Sequence, residues 1–403
     1  MEGESVGVVW PHVIVDALEA RGDGSRRHDQ FTPLLLSRQP ESGTVASDPE
    51  TPLVENEPGL CAALTAVAAR VQGHNFLSSA RACAPNNQVI APEIAAATRR
   101  QQTVDFPLRC VDLAGIDVLG SPLLFSSLLH NREETKILRA LGERWRLPRR
   151  SAFFLGHARR WHELAPLIGR DGYRLLMLDP PWHSKSVQRS QSYATRDRRT
   201  ILRDVLPAIR ALASPTACLL CVWVTNSKRV QDFVEFTLFP QCGAKLIARW
   251  YWLKLAADGS WAAGTPTSSH KKPWEVCLMG YCGTAPPPPL PPRLVLVCVP
   301  YQRHHSAKPS LDPLLREHAA SHLSRAGRED EMRVHSDGID EQAATAQATE
   351  ECWARLPKCE MFARDVKPYW HACGDEVLRY QHESFFHGGC GDESVASDVG
   401  PIA

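Results

Sequence analysis

The sequence lacks several features that would assign it to a protein class at once. No run of 18 or more consecutive apolar residues occurs, which excludes a transmembrane helix of ordinary length. The 46 Lys and Arg nearly balance the 45 Asp and Glu, so the formal net charge of +1 offers no global attraction to nucleic acid or to an anionic membrane. The acidic start, Met1 to Glu4, resembles neither a secretory signal nor an Arg-rich transit peptide. We therefore expect an intracellular, soluble protein whose partners bind through local patches.

Metal-binding patterns are also scarce. The 13 cysteines are scattered through the chain and are expected to be reduced thiols. Cys218 and Cys221 form a CxxC, which is typical of a redox pair or of half a zinc site. It lies inside an apolar run at 217–224 without a partner half at metal spacing, so we predict buried strand residues instead. His304 and His305 are adjacent, and adjacent side chains of an extended segment point to opposite faces, so we predict no metal.

Length and composition indicate a folded chain with several parts. The 403 residues, 43% hydrophobic and 23% charged, are enough for two or three domains. Composition predicts a weakly ordered leader at 1–55, a helical N-terminal region at 56–150, an α/β domain at 151–386 and a flexible tail at 387–403. Within the helical region, Glu133–Trp145 carries apolar residues at helical spacing.

From residue 151 onward, short apolar runs alternate with polar helical segments, which is typical of an α/β sheet protein. The predicted strands are Ser151–Leu155, Arg174–Leu178, Ala217–Val224, Ala244–Leu255, Trp274–Tyr281, Arg293–Val299 and Cys359–Phe362. Six of the eight residues at 285–292 are proline, which predicts a stiff connector, with an SH3 or WW ligand as the alternative. Residues 318–354, dominated by charged and small polar side chains, are predicted to be an insertion.

The segment at 174–182 carries the most specific chemistry. Its apolar run ends in Asp179, and Pro180 and Pro181 then forbid both a ladder and a helix, so Asp179 is predicted at the carboxyl end of a strand, facing a loop. Open α/β sheets bind ligands at that edge. The Asp179 carboxylate and the Pro180 carbonyl can each accept one hydrogen of an exocyclic amine, and Trp182 offers a flat ring to a base. The alternative is a plain turn after a strand.

Several ordered blocks make this region resemble the adenine-N6 methyltransferases with a DPPW motif, the MT-A70 family, and most closely its methyltransferase-like 4 branch. The resemblance covers roughly 151–386. The blocks are Asp179–Trp182, Ser184–Val187, Arg189–Ser190, Trp223–Asn226, Trp250–Lys254, Ser269–Glu275, Phe362–Arg364 and Trp370–Leu378. The resemblance implies a Rossmann-like domain that uses S-adenosylmethionine, with the catalytic motif preceding most of the cofactor-binding segment.

The resemblance also implies residue roles. Asp179 and Pro180 would bind the N6 amine, Pro181 would complete the motif, and Trp182 would stack on adenine. Lys254 would approach the cofactor's carboxylate, for which an ammonium group is apt. Further residues implied to lie near the cofactor are Glu360, Arg364, Gly374, Asp375, Glu376 and His157.

Two cofactor positions depart from the family pattern. His157 stands where relatives have an acid, and Asp375 stands where they have Asn. An ionised Asp only accepts hydrogen bonds, so a contact with an adenine acceptor nitrogen would be lost. These departures keep open a catalytically silent, nucleic-acid-binding or scaffold paralogue.

A basic segment follows the motif and points to a polynucleotide. Residues 185–210 carry seven Lys and Arg against two Asp, a local excess that can steer phosphates toward Asp179. The alternative is a solvated helix face with Ile201, Val205 and Ile209 inward. The predicted nucleic-acid-binding residues are Lys185, Arg189, Tyr193, His270, Lys271 and Lys272.

Together these observations predict an S-adenosylmethionine-dependent adenine-N6 methyltransferase of polynucleotides, and the branch resemblance implies RNA, of the small nuclear RNA kind, in preference to DNA. The residues do not distinguish the two polynucleotides, because the 2′-hydroxyl that separates them has no recognisable partner in the sequence. We expect a monomer that binds neither metal nor membrane. By analogy the location is nuclear, with cytosol or mitochondrion as alternatives.

Overall fold

The computed structural model describes most of the chain from residue 107 onward. Its described residues are 107–182, 198–256, 260–262, 264–268, 272–298, 308–325 and 350–383, together with Cys61, Leu64, Thr65, Ala68, Ala69 and Phe386. Within these ranges, no helix is both long and apolar enough to cross a membrane.

Strands and short helices alternate along the described chain. The strands are β1 (Arg109–Asp112), β2 (Ser127–Asn131), β3 (Lys136–Ala140), β4 (Glu143–Leu147), β5 (Ser151–Leu155), β6 (Leu175–Leu178), β7 (Cys218–Val224), β8 (Lys245–Lys254), β9 (Trp274–Cys282), β10 (Arg293–Cys298), β11 (Lys358–Met361) and β12 (His371–Gly374). The helices are α1 (Ser121–Ser126), α2 (Ala165–Ile168), α3 (Arg198–Asp204), α4 (Leu206–Leu212), α5 (Lys228–Phe233), α6 (Phe239–Gln241) and α7 (Asp312–Arg325). A 3₁₀ helix spans Ala158–Leu164, and a π-helical turn spans Val234–Leu238.

Ten strands form one sheet in the order β1-β2-β5-β12-β11-β6-β7-β9-β8-β10. The five central strands from β5 to β7 in this order are parallel, and β9 runs antiparallel to both of its neighbours. β6 and β11 are neighbours in the sheet. After β6 the chain continues to β7 on one side of this pair, and after β11 it continues to β12 on the other side. This is a switch point, where open α/β sheets form their ligand crevice. We call the side at which the five parallel strands end the carboxyl edge.

The core lies on both faces of the sheet, because β6 and β7 at its centre are apolar and buried at every position. On one face, alternate residues such as Leu176, Leu178 and Val222 pack with α3, α4 and α5. On the other, Met177, Cys221 and Trp223 pack with α7. Cys218 and Cys221 are thus buried strand residues, as their apolar context predicted.

The helix predicted at Glu133–Trp145 is wrong. This segment forms a hairpin in which β3 and β4 pair antiparallel. Leu141 and Gly142 both adopt positive φ, 57° and 80°, which is the two-residue turn that matches strand twist. Leu138 and Trp145 are buried on one side and Arg139 is exposed on the other, so period-two alternation decides the structure although the spacing also fits a helix.

Two predicted boundaries also change. The predicted start of the α/β domain at 151 falls inside the sheet, because β1 and β2 already belong to it. The described part of 56–150 from residue 107 on is mainly strand, so the helical prediction fails there. The predicted insertion at 318–354 begins within α7, whose Ala319, Ala320 and Leu323 are buried against the sheet. The sequence pattern did not reveal this apolar stripe, because charged residues alternate with it along α7. The remaining part of the predicted insertion that precedes residue 350, 326–349, lies outside the described residues.

The proline-rich connector packs on the protein itself. The indole of Trp250 donates to the Pro291 carbonyl at 2.9 Å, and the Arg249 N–H donates to the Pro292 carbonyl at 2.9 Å. Pro288 is buried, and Leu290 packs against the core beneath α7. The structure shows how this segment packs between β9 and β10, while its role as a stiff connector and the SH3 or WW alternative stay predictions.

Candidate active site

Asp179 lies directly after β6, where the sheet has its switch point. The four residues of β6 are buried, and Pro180 and Pro181 end the ladder. The Asp179 N–H still reaches the Met361 carbonyl of β11, at 3.4 Å, so the residue is anchored between the two diverging strands. It is only 8% exposed, as a residue at the floor of a crevice should be.

Two cations hold the Asp179 carboxylate. Lys308 Nζ lies 2.9 Å from Oδ1 and 3.0 Å from Oδ2, and an Arg364 Nη1 donates to Oδ2 at 2.7 Å. Arg364 follows β11 and Lys308 immediately precedes α7, so three separate parts of the chain meet here. Because a carboxylate has about four acceptor positions, these contacts leave one on Oδ1.

The ion pairs continue in both directions along the carboxyl edge. Lys308 also lies 3.2 Å from Glu275 Oε2, and Glu275 pairs with Lys254. On the other side, Arg364 Nε lies 3.8 Å from Glu376, which in turn accepts from Arg379 at 2.8 Å. We call this alternating series the charge network; its members are Lys254, Glu275, Lys308, Asp179, Arg364, Glu376 and Arg379.

Neighbouring charges outweigh burial within the network. Burial by itself would raise the pKa of Glu275, but Lys308 and Lys254 lower that pKa to about 2. Burial would lower the pKa of Lys308, yet Asp179 and Glu275 raise that pKa above its usual value. The pKa of Arg364 is likewise raised, chiefly by Asp179 against the effect of burial. Glu275, Lys308 and Arg364 therefore stay ionised over the physiological pH range.

The rest of the motif is bound into the core. The Pro180 carbonyl accepts the Trp182 N–H at 2.8 Å, which leaves its second lone pair. The Trp182 indole is 6% exposed and donates to the Trp223 carbonyl at 2.8 Å. Its ring lies edge-on to Phe233, with centroids 6.3 Å apart. Pro181 is half-buried. Stacking of Trp182 on adenine stays a prediction, and this structure leaves little of the ring uncovered.

The structure brings three of the predicted cofactor residues into the charge network, namely Lys254, Arg364 and Glu376. The turn that positions Arg364 is strained, because Phe362 is buried with a φ of 61°. Gly374, at the end of β12, needs to be glycine, since a Cβ there would lie 2.5 Å from the Ala363 carbonyl oxygen. The backbone of β12 is thereby held against the turn that carries Arg364.

The other predicted residues lie outside the charge network. Glu360 pairs with Lys367 at 2.6 Å, and burial raises the Glu360 pKa to about 6 despite that lysine. His157 follows β5 and caps the 3₁₀ helix, with its Nδ1 accepting the Arg159 N–H at 3.2 Å. Asp375 follows Gly374 and is half-buried. Lys272 donates to the Pro266 carbonyl at 2.7 Å. Lys185, Arg189, Tyr193, His270 and Lys271 lie outside the described residues.

Sequence reasoning missed three members of the network, namely Lys308, Glu275 and Arg379. Lys308 lies in the connection between β10 and α7, which returns from the carboxyl edge, and this position could have indicated it. Glu275 stands in one of the family blocks but received no role. Across the described ranges, no group of three or more His, Cys, Asp or Glu side chains is arranged to hold a metal ion.

Several known proteins are similar to this chain. A model of the MT-A70 family matches residues 173–328, which include Asp179, Lys254, Glu275 and Lys308. The mouse protein "N(6)-adenine-specific methyltransferase METTL4" is 28% identical over 295 residues, covering 70% of this chain and 54% of the relative.

Two further relatives differ in the polynucleotide that their names specify. The "N6-methyladenosine RNA methyltransferase MTA1" of Cryphonectria parasitica is 29% identical over 219 residues, covering 53% of this chain and 54% of its own. The "DNA N6-methyl methyltransferase" of Caenorhabditis elegans is 28% identical over 252 residues, covering 61% and 56% respectively. The chain spans about half the length of the curated relatives it matches.

Proposed function

We propose that this chain, whose residues 173–328 match a model of the MT-A70 family, is an S-adenosylmethionine-dependent adenine-N6 methyltransferase of polynucleotides. The observation that carries the proposal is the placement of Asp179, followed by the Pro180 carbonyl, at the switch point of the sheet. Relatives named for N6 methylation of RNA and of DNA support the reaction. We propose RNA as the better substrate.

The donor set at the carboxyl edge fits the cofactor. S-adenosylmethionine carries a carboxylate, an ammonium group, a sulfonium and ribose hydroxyls, and when bound it supplies an electrophilic methyl group. Lys254 is suited to its carboxylate, since an ammonium pairs well with that group. Glu376, with Arg364 beside it, is suited to hydroxyl or ammonium donors, because a carboxylate accepts several hydrogen bonds. Lys254 and Glu376 each already form an ion pair within the protein. A cofactor group with the same charge as the present partner can take that partner's place.

The chain's own part in the reaction is to orient the amine. The remaining acceptor position of Asp179 Oδ1 takes one N6 hydrogen, and the second lone pair of the Pro180 carbonyl takes the other. With both hydrogens held, the lone pair of the nitrogen points out of the ring plane. Such positioning lowers the activation barrier of a displacement by several kcal/mol. Asp179 Oδ1 then accepts the proton that N6 loses on methylation.

The two cations beside Asp179 set the access of the amine. Lys308 contacts both carboxylate oxygens and also Glu275, at 3.2 Å, so it can turn toward Glu275 and widen the access to Oδ1. Arg364 keeps Oδ2 in place at 2.7 Å. If the Lys308 ammonium moves from one carboxylate to the other, it keeps an ion-pair partner. This costs less free energy than leaving the ammonium without a partner.

The test separates cofactor binding from transfer. S-adenosylmethionine is titrated into the protein by calorimetry, and the protein is then incubated with methyl-labelled cofactor and RNA or DNA of one sequence. Nucleoside mass spectrometry should detect N6-methyladenosine, with faster accumulation in RNA. The absence of heat at high micromolar cofactor would overturn the enzyme proposal and leave a nucleic-acid-binding scaffold. Methylation at another base position would refute the role given to Asp179.

A further inference from the structure

The outward side of the β3–β4 hairpin is basic. Strand pairing sets Arg139 opposite Arg144 and Ile137 opposite Arg146, while Leu138 and Trp145 point into the core. We call the side formed by Ile137, Arg139, Arg144 and Arg146 the hairpin face. Around it, residues 132–150 contain seven Lys and Arg against three Glu.

The hairpin face bears an unfavourable charge arrangement. Like charges directly opposite each other on paired strands are destabilising. Arg144 is 51% exposed on its side chain and its Nη2 donates to Glu383 at 2.9 Å. Arg139 is exposed, and no carboxylate of the described residues pairs with it. Glu143 is turned to His382, at 3.1 Å. Among the described residues, Arg139 therefore has no carboxylate as a counter-charge.

The hairpin face is physically tied to the active site. The Arg146 N–H donates to the Gln381 carbonyl at 2.7 Å, and the Gln381 side chain donates back to the Arg146 carbonyl at 2.6 Å. One residue earlier, the Tyr380 N–H donates to the Arg364 carbonyl at 2.9 Å. Arg364 holds Asp179, so a short hydrogen-bonded path connects the hairpin with the proposed methyl-acceptor site.

We infer that the hairpin face binds the phosphate backbone of the polynucleotide whose adenine enters the site at Asp179. This inference rests on the function proposed above and deepens it. A guanidinium binds phosphate through two parallel hydrogen bonds, and two arginines side by side can bridge consecutive phosphates. An anionic strand would relieve the repulsion between Arg139 and Arg144. The four side chains include no aromatic ring, which favours phosphate over a protein partner, whose interfaces are enriched in aromatic residues.

The experiment compares Arg139→Gln, the double variant Arg139→Gln/Arg144→Gln, and Arg293→Gln as a matched control. Arg293 is an exposed arginine at the start of β10, away from the carboxyl edge. Binding of a fluorescein-labelled single-stranded RNA of about 20 nucleotides with one adenine is measured by anisotropy between roughly 50 and 200 mM salt. Each lost phosphate contact should lower the slope of log affinity against log salt by about 0.7, which corresponds to about 5-fold in affinity at 0.1 M salt. The double variant should therefore lose about 25-fold.

Further readouts separate binding from folding and from catalysis. Arg139→Gln should unfold at or above the wild-type temperature, because it removes a repulsion, while it binds RNA more weakly. Methyl transfer to adenosine, a substrate without any phosphate, should be the same in all variants. A double variant with wild-type affinity and salt slope would overturn the inference and leave the proposed function intact. Displacement of the RNA by polyglutamate of equal charge, with unchanged slopes, would identify an acidic-protein site instead. A wild-type protein that binds RNA through this face but transfers no methyl group would refute the proposed function alone.

Discussion

Two lysines, the half-buried Lys308 and the buried Lys358, flank the helical layer on one face of the sheet, and their surroundings are opposite. Lys308, just before α7, contacts two carboxylates, and these raise its pKa against the effect of burial. Lys358, at the start of β11, donates to the carbonyls of Trp353 and Leu356 and lies over the rings of Trp353 and Trp370, 4.7 and 5.9 Å from their centroids. Burial lowers the Lys358 pKa to about 8.

The difference indicates what each lysine is for. A lysine between two carboxylates can exchange partners with a charged ligand at little cost, which suits a site that must admit an amine. A lysine enclosed by aromatic rings and carbonyls has no partner that a ligand could replace, and it is 1% exposed. Lys358 therefore joins the helical stretch at 350–355 to the sheet, whereas Lys308 lies in the proposed active site. The following variants test this contrast.

Asp179→Asn should have the largest effect. The amide can no longer offer two acceptor oxygens, and its NH₂ group faces Lys308 and Arg364. We expect methyl transfer to fall by about 100-fold or more, while calorimetry still detects S-adenosylmethionine. Asp232→Asn, which alters an exposed ion pair with Lys228, is the matched control. Near wild-type transfer by Asp179→Asn would show that the carboxylate is not the group that holds the amine.

Lys308→Met should come second. It leaves Asp179 and Glu275 with one cation fewer, and removal of one partner from a buried ion pair costs roughly 3 kcal/mol. Chemical denaturation should show this loss, and we expect transfer to fall by about 10-fold. Lys308→Arg should recover part of both. The control is Lys228→Met, whose exposed ion pair contributes at most about 0.5 kcal/mol. Equal effects of the two Met variants would contradict the distinction between buried network and surface pair.

Lys358→Met should have the smallest effect at neutral pH. Replacing a buried charge by an apolar side chain of similar length should leave stability unchanged or raise it by about 1 kcal/mol, with no change in activity. In the wild type, the folded pKa of about 8 lies below the ordinary 10.5, so the unfolded chain binds more protons between these values. The free energy of unfolding should therefore rise with pH from 8 to 10.5, by up to about 3 kcal/mol.

Denaturation across this pH range checks the Lys358 prediction. Lys358→Met should lose the rise in stability, whereas the control Lys228→Met should keep it. If the free energy of unfolding of Lys358→Met still rises with pH, the rise is due to another titrating group. A large loss of methyl transfer in Lys358→Met would show that Lys358 contributes to activity. It would then contradict the distinction drawn between Lys358 and Lys308.

Local signals predicted much of the fold correctly. The seven predicted strands all appear with boundaries within about two residues, because continuous apolar runs ended by Pro or Gly have few alternatives. The hairpin failed, since Leu138 and Trp145 are seven residues apart and face one way in a helix as well as in this antiparallel pair. Strand β12 was not predicted, because His371–Gly374 has only four residues and combines polar with apolar side chains. It is recognisable as a buried strand only from its position between β5 and β11.

For the site, the sequence by itself determined where Asp179 would stand. An apolar run followed by two prolines must end a strand, and this rule needs no other part of the chain. Only the tertiary structure decided what Asp179 contacts. Lys308 and Arg364 are 129 and 185 residues away along the chain, and they reach it because the strand order sets β11 beside β6 and returns the chain from β10 to the carboxyl edge. Strand ends depend on neighbouring residues, whereas ion pairs depend on which strands become neighbours.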